Sequence, residues 1–430
     1  MRVVALCLLP GIVTALPPVV LTDTTDVYEI AQLEVDHVEY LEDKDHQWTI
    51  DDVSSRALGH LFVTDTDSIA DFKETDAAFW MRFRLKDESG NRRWLIDSRR
   101  YRTFVLRRIF DYGPWVPIAK LGTRYSSMQL YIPWSGAPPD TVANAYWSVV
   151  DPPGAGRYLL KTAPVDAPFH ARDLQYRGFT FFLPDSTDWK RPFYMRFNHE
   201  NAMSKRVRVI SLEHLHEDHR GEQTGMGVYF GAIIALFCYN LFLYARLRDQ
   251  SYLYYVLYIA SASLFIASYQ GVGFEFLWPS FPEWNRDSLY IFNGLTILFA
   301  ALFTRSFLDT KVHAPRQDRQ LLWLVAIALL DCAVSLWYSV DLADRLSYGI
   351  SIGLIPLCLT AGRAALRGGF RPARYYLMAW SVLLASVFLF MLHATSLFRP
   401  WAYAYSSIDI LRVGIFCEAV LLSLGLADRI

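Results

Sequence analysis

The residues from 225 onward leave this chain little choice of solvent. They begin GMGVYFGAIIALFCYNLFLYARLRDQSYLYYVLYIASASLFIASYQGVGF and continue through seven apolar segments, 225–245, 252–272, 288–307, 321–340, 346–366, 375–397 and 405–426. A helix needs roughly 20 apolar residues to cross a hydrocarbon core about 30 Å thick. Residues 225–427 therefore read as an all-α bundle of seven membrane spans, and the membrane is the first partner expected.

Charge divides the chain at the same place. Residues 16–220 carry 26 Lys+Arg and 30 Asp+Glu, whereas 221–430 carry 15 and 13 in a similar length. The first half has the balance of a mildly acidic soluble domain. A net charge of -1 gives no electrostatic footprint for nucleic acid, and no such partner is expected. Cys7, Cys238, Cys332, Cys358 and Cys417 lie in the N-terminal leader or in apolar segments, so no disulfide framework supports the soluble half. Nearly 200 residues suffice for an ordinary core.

Residues 1–15 have Arg2, an apolar run over 3–9 and small residues at Val13-Thr14-Ala15. This pattern predicts a secretory signal peptide. An uncleaved anchor is the other possibility, and either one exports the domain behind it. Residues 22–212 contain short alternating runs broken by Gly, Pro, Asp and Asn. Phe79-Trp80-Met81-Arg82-Phe83-Arg84-Leu85 places Phe/Met/Phe/Leu on one face and Trp/Arg/Arg on the other, the period of a half-buried strand. A turn at 87–91 and a return strand at 93–97 come next. Similar runs at 103–110, 127–132, 145–150, 157–162, 179–183, 193–197 and 206–212 predict an all-β sandwich or jelly roll. Trp80 and Trp94 are expected in its core, since Trp is usually largely buried.

Residues 213–224 read as a juxtamembrane linker. Its Glu213-His214-Leu215-His216-Glu217-Asp218-His219 is dense enough to bind a metal or titrate at about pH 6–7. The spacing fits neither one helix face nor a zinc pattern, so no metal site and no cofactor is expected.

An exported first domain puts the start of the first span outside and, after seven crossings, the C-terminus in the cytoplasm. Loops then assigned to the cytoplasm carry Arg246, Arg248, Arg305, Lys311, Arg316, Arg319, Arg363, Arg367, Arg371 and Arg374. Those assigned outside carry Arg286, Arg345 and Arg399. The positive-inside rule supports the same orientation.

Ionisable residues within spans are candidates for function, because each costs about 2.5–3.5 kcal/mol at the membrane centre on insertion scales. They are Asp331, His393, Asp409, Arg412 and Glu418. His393, Asp409 and Arg412 fall within two turns of the outer helix ends; Asp331 and Glu418 lie deeper. They either fix helix packing or relay a signal, with Asp409 and Arg412 forming an ion pair that differs between two states. No lysine lies between Lys205 and Lys311 or after Lys311, so no span offers the nucleophile of a retinal Schiff base. One histidine in seven spans cannot supply an intramembrane metal hydrolase, and no Gly-x-Ser-x-Gly marks a serine protease. No catalytic residue is assigned, and a membrane hydrolase stays the weakest alternative.

The apolar half resembles the bacterial seven-transmembrane receptors with diverse intracellular signalling modules. The resemblance rests on Tyr229-x-Gly231, Tyr239-Asn240-x-x-x-Tyr244, Arg248-Asp249-x-Ser251-Tyr252-Leu253-Tyr254-Tyr255, Gly271 and Gly273. It rests also on the closing Glu418-x-x-x-Leu422-Ser423-Leu424-Gly425-Leu426-Ala427-Asp428-Arg429-Ile430. The soluble half is similar to that family's second type of extracellular sensor, through Glu39-Tyr40-Leu41-Glu42-Asp43, Trp48-Thr49-Ile50-Asp51-Asp52, Trp80 to Leu85, Trp94-Leu95-Ile96-Asp97 and Pro168-Phe169-His170-Ala171-Arg172. The resemblance implies a jelly-roll sensor for a carbohydrate-like or other small ligand. The sensor would control a cytoplasmic histidine kinase or diguanylate cyclase, and the receptor would form a homodimer in the bacterial inner membrane. The chain stops at Ile430, where members of that family run on into the output module, so a separate cytoplasmic signalling partner or a truncated receptor is expected. A receptor-like scaffold whose β domain binds another protein is the alternative.

Sugar sites stack aromatic faces on rings and bond hydroxyls with charged groups. On that chemistry Arg82, Arg84, Tyr112, Trp115 and Arg172 are the ligand candidates. Asn240 joins the relay candidates because it falls at the inner end of the first span, beside the surface that would face an output module.

Overall fold

The computed structural model describes residues 17–31, 38–64, 77–90, 92–99, 128–136, 146–163, 167–198, 206–337, 340–394 and 407–429. They fall in two units, one sheet-rich and one helical.

Among the described residues the first unit has twelve strands: β1 (Val19–Leu21), β2 (Val27–Ala31), β3 (Val38–Asp43), β4 (Ala78–Phe83), β5 (Leu85–Asp87), β6 (Trp94–Arg99), β7 (Met128–Pro133), β8 (Trp147–Val150), β9 (Tyr158–Ala163), β10 (Phe179–Phe182), β11 (Phe193–Asn198) and β12 (Arg206–Ser211). Six run in the order β3-β4-β11-β7-β9-β8 and four in the order β10-β6-β12-β2, while β1 pairs in parallel with β5. Alternation decides which side chains meet. Phe79, Met81 and Phe83 of β4, with Leu130, Ile132 and Met195 from the neighbouring strands, face Trp94, Ile96, Phe181, Val207 and Val209 of the smaller sheet in one core. Each such fully buried side chain contributes roughly 1.5–3 kcal/mol.

The half-buried strand expected at 79–85 is covered on both faces. Trp80 is fully buried, packed with Tyr131, Tyr158 and Tyr194 beneath Phe62 and the helical turn Ile50–Val53. Local alternation could not show this, because the cover comes from a segment about 20 residues earlier in the chain. Trp94 is buried as expected. Arg191 ties the loop ends together: its guanidinium donates to the carbonyls of Ala155, Trp134 and Arg157 and pairs with Asp188 at 2.9 Å.

The helical unit holds α1 (Leu212–Leu247), α2 (Gln250–Gln270), α3 (Pro282–Phe307), α4 (Pro315–Trp337), α5 (Val340–Arg367), α6 (Ala373–Ala394) and α7 (Ser407–Ala427). The first turns of α1, through Asp218, group with the sheets. All seven helices are long and apolar enough to cross a membrane. Residues 213–224, read as a juxtamembrane linker, are helical and run on into the first span as part of α1. Ser211 Oγ accepts from the His214 N–H at 3.3 Å, and Leu215 buries beside Leu95, Tyr176 and Ile210 on the outer face of the smaller sheet. Helices α3 and α5 likewise start about six residues before their apolar runs, because polar turns extend them. The α3–α4 connection is closed by Arg305 on Asp318 at 2.8 Å and by Thr310, whose hydroxyl donates to the same carboxylate at 2.6 Å.

Candidate functional site

Among the described residues, a polar network of the bundle converges on α7. Ala419, Leu422 and Leu426 form its buried stripe, and the polar residues beside that stripe meet partners from α1, α2 and α3. Helix α2 presents tyrosines every third residue, which stacks them on one face. The Tyr258 hydroxyl donates to Glu418 at 3.0 and 3.1 Å, Tyr255 to the Ala419 carbonyl at 2.6 Å and Tyr252 to the Leu426 carbonyl at 3.2 Å. One turn nearer the chain's end, the Asn240 amide of α1 and the Ser423 hydroxyl bond at 3.1 and 3.2 Å. Asn240 also donates to the Leu236 carbonyl at 2.9 Å and is fully buried.

Arg429 completes the arrangement. Its Nη1 donates to Ser251 Oγ at 2.6 Å and to the Ser306 carbonyl at 3.2 Å, and lies 3.8 Å from Asp249. Asp249 is itself the N-cap of α2, accepting from the Ser251 N–H at 2.8 Å, and Ser251 bonds Ser306 at 2.8 Å. The Asp249-x-Ser251-Tyr252 run thus serves as cap, bridge and contact to α7 within one turn. Arg374 also meets Asp428, at 3.4 Å, but exposed pairs of this kind contribute little.

Of the relay candidates, Asn240 and Glu418 belong to this network. Asp409 and Arg412 do pair, one turn apart on α7. Asp331 is buried between α4 and α5, where the Ser347 hydroxyl donates to it at 2.6 Å. The backbone of His393 continues α6, and its side chain falls outside the described residues. Tyr252, Tyr255, Tyr258, Ser423 and Arg429 escaped assignment on sequence. The repeat of tyrosine every three residues in an apolar run was the available signal.

In the sheet unit the ligand candidates separate. Arg82 pairs with Glu39, donates to the Gly59 carbonyl at 3.2 Å and sits over the Phe62 ring at 4.1 Å. Arg84 lies within electrostatic reach of Tyr194, as Arg82 does. Arg172 follows the helical turn Phe169–Ala171, sits over the rings of Phe169 and Phe179, and donates to the carbonyls of Tyr176 and Arg177 at 2.8 and 2.9 Å. It lines a cleft with Trp147, Lys161 and Asp173. Tyr112 and Trp115 lie outside the described residues. Lys161 is almost wholly buried: it pairs with Asp173 at 2.7 Å beneath the Trp147 ring, 4.0 Å away. Burial lowers the ammonium pKa of Lys161, and the Asp173 carboxylate opposes that shift. In the 213–219 run, His214 approaches Glu217 at 3.9 Å and Asp218 at 3.8 Å, and among the described residues no group of three potential metal ligands gathers.

A sheet domain ahead of seven helices long and apolar enough to cross a membrane is the architecture of a multi-pass membrane protein. Residues 222–429 match the family model described as 7TM diverse intracellular signalling, and residues 35–107 match 7TMR-DISM extracellular 2. No curated protein and no solved structure matches the chain. The chain belongs to the seven-transmembrane receptors with diverse intracellular signalling modules. Neither matched receptor domain carries a catalytic module.

Proposed function

We propose that the chain is a sensory receptor of a bacterial inner membrane, working as a homodimer and without enzymatic activity of its own. Its β domain faces the periplasm and binds a carbohydrate-like or other small ligand. The bundle then passes the occupancy of that site through α7 to a cytoplasmic output module of the histidine kinase or diguanylate cyclase type. The orientation is supported by ten basic residues in the loops assigned to the cytoplasm against three in the others.

The observation that carries the relay is the way the last two turns of α7 are held. Apolar contact alone would fix a helix only loosely in register, because lipid tails compete for the same surface. Here Asn240, Tyr252, Ser251 and the Ser306 carbonyl take hold of Ser423, Leu426 and Arg429 by directed hydrogen bonds. Such bonds have two discrete outcomes, made or broken, and an effector that favours one shifts the balance of states. The test joins a diguanylate cyclase reporter after Ile430 and measures cyclic dinucleotide output in membranes. Asn240→Leu, Tyr252→Phe and Arg429→Gln should each change basal output severalfold at normal membrane abundance. Unchanged output in all three would remove α7 as the relay.

A further inference from the structure

The connection from α5 to α6 runs only from Gly368 to Pro372, and hydrogen bonds fix its backbone. The N–H groups of Phe370 and Gly369 donate to the carbonyls of Ala365 and Leu366, both at 3.1 Å, the paired bonds that close a helix on a left-handed residue. Gly369 supplies that conformation, with a φ of +89°. The Ala373 and Arg374 N–H groups then donate back to the carbonyls of Phe370 and Arg371 at 3.2 and 3.1 Å, which starts α6 at once. Phe370 turns inward, its ring 6.0 Å from that of Phe307 and 5.5 Å from that of His313. The helical turn Thr310–His313 is thereby packed against the connection.

Arginines flank this fixed turn. Arg363 and Arg367 stand one turn apart on α5, on the same face as Leu366, and Arg371 follows the two glycines. All three are exposed, and among the described residues none has a hydrogen-bond or ion-pair partner. No carboxylate lies between Asp344 and Asp409 in the sequence, so no chain neighbour neutralises them. Other carboxylates at this end of the bundle are engaged: Asp428 by Arg374 at 3.4 Å, Asp249 by Arg429 at 3.8 Å and Asp318 by Arg305 at 2.8 Å. On the adjoining turn exposed Lys311 is offset by exposed Asp309. The arginine face of α5 continues along the helix as Thr360, Pro356 and Ile352, all exposed and spaced by four residues. Ile352 is 58% exposed, and a Cβ at Gly349 or Gly353 would meet no atom within 4 Å.

We infer that this face of α5 and the turn after it bind an anionic phospholipid. Arg363, Arg367 and Arg371 hold its phosphate, and an acyl chain lies along Pro356 and Ile352. Guanidinium groups match phosphate oxygens in geometry as well as charge, and basic clusters at the ends of membrane spans recognise anionic head groups. The apolar surface decides for a lipid over a soluble anion. Leu366 is 41% exposed among the cations, and the bare face runs from them into the depth of the span, where only a molecule with a chain can use it. Charge also argues against a second copy of the protein. A two-fold related copy on this face would bring its own Arg363 and Arg367 to the same depth, and like charges oppose each other there. The inference goes beyond the receptor reading and needs only that the helices cross a membrane.

Native mass spectrometry of the full chain tests it, with the protein released from micelles that hold equal amounts of phosphatidylglycerol and phosphatidylcholine with identical chains. The parent should retain phosphatidylglycerol about tenfold over phosphatidylcholine. Arg363→Gln, Arg367→Gln and Arg371→Gln together should bring the two lipids close to equality. Arg246→Gln, Arg248→Gln and Arg319→Gln remove as many exposed charges from the other loops at that end and should leave the preference in place. An excess of inorganic phosphate should displace little lipid, because it offers no chain to the apolar face. The parent's preference and its response to phosphate need no variant, so they test the inference even if the first set fails to fold. Equal retention of both lipids by the parent, an undiminished preference in the first set, the same loss in the second, or full displacement by phosphate would overturn the inference. Dimers that retain neither lipid would assign the face to a second copy and overturn it as well.

Discussion

At the scale of single residues, both units depend on groups whose surroundings leave no substitute. Gly156 has a φ of +75°, and a Cβ there would come within 2.5 Å of Arg191 Nη1, the guanidinium that ties three loop ends. Gly156→Ala should destabilise the sheet unit by about 1–3 kcal/mol, from backbone strain and displacement of Arg191 together. Thermal unfolding of the full chain checks it; an unchanged midpoint would show that Arg191 yields freely. Tyr40 and Tyr158 are buried, 7% and 1% exposed, and burial raises both phenols above the usual 10.0. Above that value the unfolded chain gives up protons that the folded chain keeps, so stability should fall as pH rises past about 10. In Tyr40→Phe with Tyr158→Phe the decline between about pH 10 and 12 should be shallower. Identical alkaline unfolding curves for parent and double variant would contradict this.

At the scale of elements, α6 and α7 approach closely because Gly414 faces Ser386; a Cβ at Gly414 would overlap the serine side chain. Gly414→Ala should cost about 1–3 kcal/mol through overpacking, and adding Ser386→Gly should recover most of it. Measuring both in a double-mutant cycle shows whether the contact or a general loss of helix packing is responsible. Much of this layer was legible in the sequence. The seven spans follow from length and apolarity, and strands such as Phe193–Asn198 and Tyr158–Ala163 follow from alternation. Pairing order was not legible, because strand neighbours such as β4 and β11 lie more than 100 residues apart. Nor was the cover over Trp80, supplied by a distant segment. The candidate site divided along the same line. Charged residues in apolar runs stood out, and Glu418 does enter the α7 network. The tyrosines that hold α7 carry no charge, so the cost of a charge in the membrane does not single them out. Arg82 and Arg172 were grouped by residue type, which says nothing of their surroundings: Arg82 pairs with Glu39 on β4, whereas Arg172 follows the turn Phe169–Ala171 and holds the carbonyls of Tyr176 and Arg177.

For the whole molecule, the account depends on α7 being a held helix whose release can be transmitted. Two family models meet in one chain, a sheet sensor and a seven-helix bundle. The polar contacts that an output could read gather where α7 ends, whereas Asp331 ties α4 to α5 through Ser347. The most direct measurement is the distance between spin labels carried on unnatural amino acids at positions 247 and 424, both exposed, in lipid nanodiscs with the four bundle cysteines left in place. The parent chain should give one narrow distribution, and Asn240→Leu or Arg429→Gln should add a second population at a different distance. A single distribution, identical in the parent and both variants, would contradict the claim that these hydrogen bonds hold α7.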